Sequence, residues 1–178
     1  LNTLNLLDMQ GIKIDISLTT KPNEIGSEIG HDSCEINIAA NIGEELRPMH
    51  KIASGGELSR MMLAIKFAMQ DKDPVDTIIF DEVDSGISGK SAEKIGNMIE
   101  KLGNSRQIIC ITHLSQIASK GSNHLKVKKI TNGGRTQVAV DQLSLDERIF
   151  EIAGLISGKR ITETGKLQAE KLLEGYNG

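Results

Sequence analysis

With 178 residues, 38% of them hydrophobic and 25% charged, the chain has the size and composition of one soluble domain with a sizeable core. A net charge of −3 excludes a general attraction to nucleic acid or anionic membrane. Only 2% of residues are aromatic, so the core must be built from Ile, Leu, Val, Met and Ala.

The first elements follow from periodicity. Leu1, Leu4, Leu6 and Leu7 make residues 1–10 a heptad-like helical remnant, too short to stand alone. Ile12, Ile14, Ile16 and Leu18 alternate with polar residues, the pattern of a half-buried strand. Residues 21–32, with Pro22, Gly26 and Gly30, read as a loop, Glu35 to Ala39 as a second strand, and Asn41 to Glu45 as a turn. Ser54 and Gly55 open a helix running to Met69, with Leu58, Met61, Met62, Ile65 and Met69 on its apolar face.

The second part alternates strand and helix. Thr77 to Phe80 reads as a fully buried central strand, Ser91 to Leu102 as a helix with Ile95, Met98, Ile99 and Leu102 inward, Gln107 to Ile111 as a buried strand, and Leu114 to Ala118 as a short helix. That order implies parallel βαβ connections. A hairpin is expected where His124–Lys129 and Arg135–Val140 flank Asn132-Gly133-Gly134, and amphipathic helices over 148–156 and 162–173 complete the chain. Cys34 and Cys110 lie far apart in strand-like surroundings and read as buried free thiols. No apolar run reaches the length of a membrane span and no signal peptide is evident, so a cytoplasmic chain without a membrane partner is expected. The start at Leu1 reads as that of a segment from something longer.

Three short stretches carry chemistry. Asp81 and Glu82 end an apolar strand, the edge where open α/β sheets bind ligands. A magnesium nucleotide needs a carboxylate near the metal and a base or water-orienting group beside it; Asp81 fits the first role and Glu82 the second. An ordinary strand entering an acidic loop would look the same. Ser54-Gly55-Gly56-Glu57 opens a helix with two glycines, so backbone and helix N-terminus can approach a phosphate, with the Ser54 hydroxyl as a donor. The plain alternative is a capped helix start with Glu57 as capping-box partner. His113 follows the strand after the acidic one and would sit at the same sheet edge, although a lone histidine there is ordinarily structural. Order and spacing together favour a site. Gly89-Lys90-Ser91 resembles the end of a Walker A loop, but the first glycine of that pattern would fall on Asp84. Gly158-Lys159-Arg160 fails as well, and the chain carries no Walker A string. Lys126, Lys128 and Lys129 form a basic patch that reads as a solvated hairpin face rather than a DNA contact.

Lys51 to Arg60, Phe80 to Gly89 and Ile111 to Ala118, taken together, resemble the RecN family, SMC-like ATPases of bacterial DNA double-strand break repair. The resemblance covers most of the chain. Asn41-Ile42-Gly43-Glu44 departs from the family's Asn-Pro-Gly-Glu turn at Ile42, and Gly86-Ile87-Ser88-Gly89 stands where general SMC proteins show Ala-Ala-Leu-Asp. The implied fold is α/β, the C-terminal lobe of an ABC/SMC-type head over 11–178, with parallel central strands flanked by helices and a small antiparallel hairpin; residues 1–10 would be the last of a returning coiled-coil helix. The implied cofactors are ATP and Mg²⁺. Ser54, Gly55, Gly56 and Glu57 would form the ABC signature on ATP held by an opposing head. Asp81 would support Mg²⁺, Glu82 would activate water, and His113 would be the switch histidine. Asp84, Ser85 and Gly86 would belong to a D-loop crossing the dimer interface. The implied partners are an N-terminal lobe carrying Walker A, a second head in a homodimer, and DNA through the whole protein, with nucleoid association on DNA damage. Another SMC-type head, a truncated transporter ATPase and a purely dimerising lobe are the competing readings.

Overall fold

The computed structural model describes residues 2–7, 9, 11–20, 30–39, 43–51, 54–132, 135–158 and 160–175. The expected loop over 21–32 falls largely outside them, as do the start of the turn at Asn41-Ile42 and the hairpin apex Gly133-Gly134. The chain divides into two compact units, 1–73 and 74–178.

In the first unit a short helix α1 (Asn2–Leu6) lies against α2 (Gly55–Ala68), and β1 (Lys13–Thr20), β2 (Asp32–Ala39) and β3 (Arg47–Pro48) form an antiparallel sheet in that order. The register sets Ile14 opposite Ile38, Ile16 opposite Ile36 and Leu18 opposite Cys34, so one face is apolar throughout. That face is covered only at its Ile38 end. Leu18 is 75% exposed, which corrects the expectation of a half-buried strand, and Cys34 is exposed, which corrects the expectation of a buried thiol. The two-residue β3 and the 3-10 turn Met49–Lys51 carry too little pattern to be seen in sequence. Helix α2 begins as expected, with Ser54 Oγ accepting from the Glu57 N–H at 3.4 Å. Its buried residues are Gly56, Met61, Leu63 and Ala64, so the inward face is rotated from the expected one; Met69 lies outside, just past the last turn.

In the second unit β4 (Thr77–Phe80) and β5 (Gln107–Cys110) pair in parallel across α3 (Lys90–Gly103), as the strand–helix–strand order requires. Ala92, Ile95, Met98, Ile99 and Leu102 recur at helical spacing on α3 and are buried, each large side chain contributing about 1.5–3 kcal/mol. Ile78 and Phe80 are buried, but Ile79, Ile109 and Ile111 are exposed, so one face of this pair is open where a fully buried strand was expected. Helix α4 (Ser115–Ala118) follows β5, and Gly96 lets it lie close on α3. The hairpin β6 (Leu125–Asn132) and β7 (Arg135–Gln142) is antiparallel as expected. Helices α5 (Leu145–Ser157) and α6 (Glu163–Glu174) close the unit on Ile152, Ala153, Ala169 and Leu173. A Ser144–Glu147 capping box starts α5, and buried Arg148 ties it to the loop between α4 and β6 through the Gly121 carbonyl at 2.5 Å.

A Cβ on Gly96 would lie 2.9 Å from the Gln116 backbone oxygen and 3.2 Å from Lys120 Cγ. Gly96→Ala should therefore push α4 away and cost about 1–3 kcal/mol in urea denaturation. Gly103→Ala, whose methyl meets only Ile108 Cγ1 at 4.0 Å, should be neutral or stabilising. Equal effects would show that close approach of α3 and α4 is not limiting.

Candidate functional site

The acidic strand end is built by a tight change of direction. β4 is in register with β5, Phe80 facing Cys110, and the Ile111 N–H donates to the Phe80 carbonyl at 2.9 Å. The two strands thus leave the sheet side by side. Beyond Phe80, Asp81 and Glu82 are exposed, Val83 and Asp84 are buried, and Ser85 and Gly86 are exposed again. A turn in which the Ser85 N–H donates to the Glu82 carbonyl at 3.0 Å produces this alternation.

Glu82 has φ +58°, and among the described residues it is the one non-glycine with positive φ. Left-handed backbone costs an ordinary L-residue about 1–2 kcal/mol. Strain of this kind concentrates where geometry serves a site. Here it turns a carboxylate outward beside Asp81 while the next residue, Val83, drops into the core.

The two strand exits are joined through Asp84. Its Oδ2 accepts from Thr112 Oγ1 at 2.5 Å and from the His113 N–H at 2.9 Å, and His113 Nδ1 lies 3.1 Å from the same oxygen. Thr112 Oγ1 also accepts from the Leu114 N–H at 3.0 Å, which starts the turn into α4. The structure therefore brings Asp81, Glu82, Asp84, Ser85, Gly86 and His113 to one edge of the second unit. Thr112 was not singled out for a role in the sequence; its position next to His113 was the available signal. Ser54, Gly55, Gly56 and Glu57 sit in the first unit at the N-terminus of α2, with Ser54 and Gly55 exposed and Gly56 buried. Ser54 Oγ caps the helix as an acceptor and keeps its own O–H for another partner.

Negative charge at the strand edge shows in its effect on a neighbour. Burial first, then the carboxylates of Asp84 and Asp81, push the Cys110 thiol up to about 12. Among the described residues no cluster of three or more His, Cys, Asp or Glu could hold a metal ion. One exposed carboxylate such as Asp81 still suits Mg²⁺, which keeps several waters and binds through one or two carboxylates plus phosphate oxygens. The basic hairpin patch is partly neutralised: Lys126 pairs with Glu151, and Lys128 with Asp141 at 2.9 Å.

Residues 2–136 match the family model described as RecF/RecN/SMC N terminal domain. The DNA repair protein RecN of Xylella fastidiosa is 43% identical over 173 residues, 97% of this chain and 31% of that protein. RecN of Bacillus subtilis is 43% identical over 148 residues, 83% of this chain and 26% of that protein. Two solved Smc head domains share the fold. The one from Pyrococcus yayanosii has TM-score 0.59 and 22% identity, covering 89% of this chain and 28% of that one. The one from Pyrococcus furiosus has TM-score 0.55 and 20% identity, covering 99% and 37%. The chain belongs to the RecF/RecN/SMC family, and its mixed α/β fold is that of an SMC-type head. It spans about a third of the length of the curated relatives it matches, 31% for the Xylella protein.

Cys34 should react quickly with a thiol reagent at pH 8 in the native chain and Cys110 should not; Cys34→Ser should abolish the fast phase. The raised Cys110 value also has a sign. The folded chain keeps a proton that the unfolded chain loses from pH 9.0 upward, so this contribution is whole below that pH and lost as the pH climbs towards about 12. Glu82→Gly should relieve the left-handed backbone and raise stability by about 0.5–1 kcal/mol in urea denaturation. A loss of stability would contradict the strain.

Proposed function

We propose that the chain is the C-terminal lobe of an SMC-like ATPase head that binds and hydrolyses ATP at a composite head–head interface during double-strand break repair. The observation that carries this reading is the strand edge, where Glu82, turned outward by left-handed backbone beside Asp81, lies on strands in register with the exit that carries His113. The DNA repair names of the relatives support the pathway.

In this reading Asp81 would hold Mg²⁺, which when bound would supply charge neutralisation for the phosphates of ATP. Glu82 orients the attacking water and accepts its proton. His113 contacts the terminal phosphate. Ser54, Gly55, Gly56 and Glu57 act on ATP held by the opposing head, with the Ser54 O–H, the free N–H groups of α2 and its partial positive end as donors. Ser85 and Gly86, exposed in the loop after Asp84, face the partner head. Hydrolysis then separates the heads.

The partner that supplies Walker A is the N-terminal lobe of the same head. Two observations support it. The chain is only about a third of its relatives' length, and Ile79, Ile109 and Ile111 leave one face of a parallel strand pair open, whereas parallel sheets are ordinarily covered on both faces. Residues 1–10 are read as the end of the connecting coiled coil. DNA is reached through the whole protein, which works in the cytoplasm on the nucleoid; among the described residues no helix is long and apolar enough to cross a membrane.

The test is ATP turnover by the longer protein and by this chain alone. Glu82→Gln in the longer protein should keep ATP binding and lower turnover by at least about 10²-fold, and this chain alone should show none. Normal turnover in that variant would remove Glu82 from the mechanism, and Glu82-dependent turnover by this chain alone would overturn the half-head assignment.

A further inference from the structure

Asp84 differs from its loop neighbours in one respect. Ser85 and Gly86 are exposed, but only 4% of the Asp84 side chain is, while the His113 side chain it meets is 70% exposed. Its Oδ2 gathers Thr112 Oγ1, the His113 N–H and His113 Nδ1 within 3.1 Å. An ionised carboxylate offers acceptors only. The ring nitrogen facing it is therefore the protonated one, and a proton on Nδ1 leaves Nε2 as the nitrogen presented outward. The backbone bond from His113 N–H to the same oxygen fixes the base of that side chain as well.

Resting on the ATPase reading above, we propose that Asp84 is a positioning residue for hydrolysis, holding His113 in its Nδ1–H tautomer so that Nε2 meets the terminal phosphate and the attacking water. This gives Asp84 a role inside its own chain, in addition to any place in a loop at the dimer interface. It acts through His113 and touches no reacting atom. Losing it removes no group that touches ATP, so the loss should fall on kcat more than on KM for ATP.

The experiment is ¹⁵N-histidine NMR and ATPase kinetics on the longer protein, with His113→Gln identifying the His113 signals. The wild type should show Nδ1 protonated. Asp84→Ala should move the proton towards Nε2 and lower kcat by about 10- to 100-fold. Asp84→Asn, whose amide oxygen can take the place of Oδ2, should restore both. Thr112→Val removes a donor from the same carboxylate without touching Nδ1, so it should cost stability but keep the tautomer and kcat. A wild-type His113 protonated on Nε2 overturns the proposal without any variant, which covers the case in which Asp84→Ala does not fold. So does an Asp84→Ala protein with unchanged tautomer or unchanged kcat, or a Thr112→Val protein that loses kcat as Asp84→Ala does. A Glu82→Gln control separates these results from failure of the reading beneath: wild-type protein without Glu82-dependent turnover removes the ATPase assignment, and the proposal with it.

Discussion

The buried carboxylate of Asp84 is the contact on which the arrangement of the second unit's strand edge depends. Burying a carboxylate is costly unless its oxygens are bonded, and here one oxygen gathers a hydroxyl, a backbone N–H and an imidazole nitrogen. The bonds join residues 28 and 29 positions apart in sequence. Without them, the loop after β4 and the turn after β5 would lose the side-chain bonds that join them beyond the short parallel pair and its final backbone bond. With them, the exposed carboxylates of Asp81 and Glu82 and the exposed imidazole of His113 leave the sheet from one braced corner. Val83 in the core and the close approach of α3 to α4 at Gly96 support that corner from beneath.

The same economy explains what the chain leaves open. The apolar face shared by β1 and β2 is bare along most of its length, and so is the Ile79–Ile109–Ile111 side of the parallel pair. Exposed apolar surface of this kind signals a binding face. A chain that is about a third of its relatives' length is expected to carry such faces. The chemistry is divided in the same way. This chain holds strand-end carboxylates, a histidine and a glycine-opened helix, and in the proposed reading the phosphate loop would come from the N-terminal lobe. Each part alone is a common structural feature; in the proposed reading each would take a distinct role once joined to a nucleotide and a second head.

Much of the fold was legible because the chain is locally consistent. Helix α3 buries Ile95, Met98, Ile99 and Leu102 as its spacing requires, and the parallel pairing of β4 with β5 follows from the strand–helix–strand order. The failures have physical reasons. Strands over 77–80 and 107–111 look fully buried because sequence records apolarity, not the presence of a covering layer. Cys34 was misplaced for the same reason, since its strand is apolar on a face that is exposed at Cys34. In α2 the methionines and Leu58 suggest one face; Met61 is buried as expected, but Leu63 and Ala64 are the other large and small side chains that meet the unit's core. The two-residue β3 is too short to carry a period. At the site, the residue types and their order were readable. The left-handed backbone at Glu82 was not, because no residue type there signals it, and the inward carboxylate of Asp84 was not, because its bonds run to a segment 28 positions away.

The central claim is that the helix-start residues and the strand-end residues of one chain serve different nucleotides. Mixing two inactive forms of the longer protein, one with Ser54→Arg and one with Glu82→Gln, tests it directly. If sites are shared across a dimer, each mixed pair contains one intact site, and equal mixing should restore about a quarter of wild-type ATP turnover. If both residues serve the nucleotide of their own chain, every site in the mixture is broken, and turnover that stays at the level of the separate variants would contradict the account.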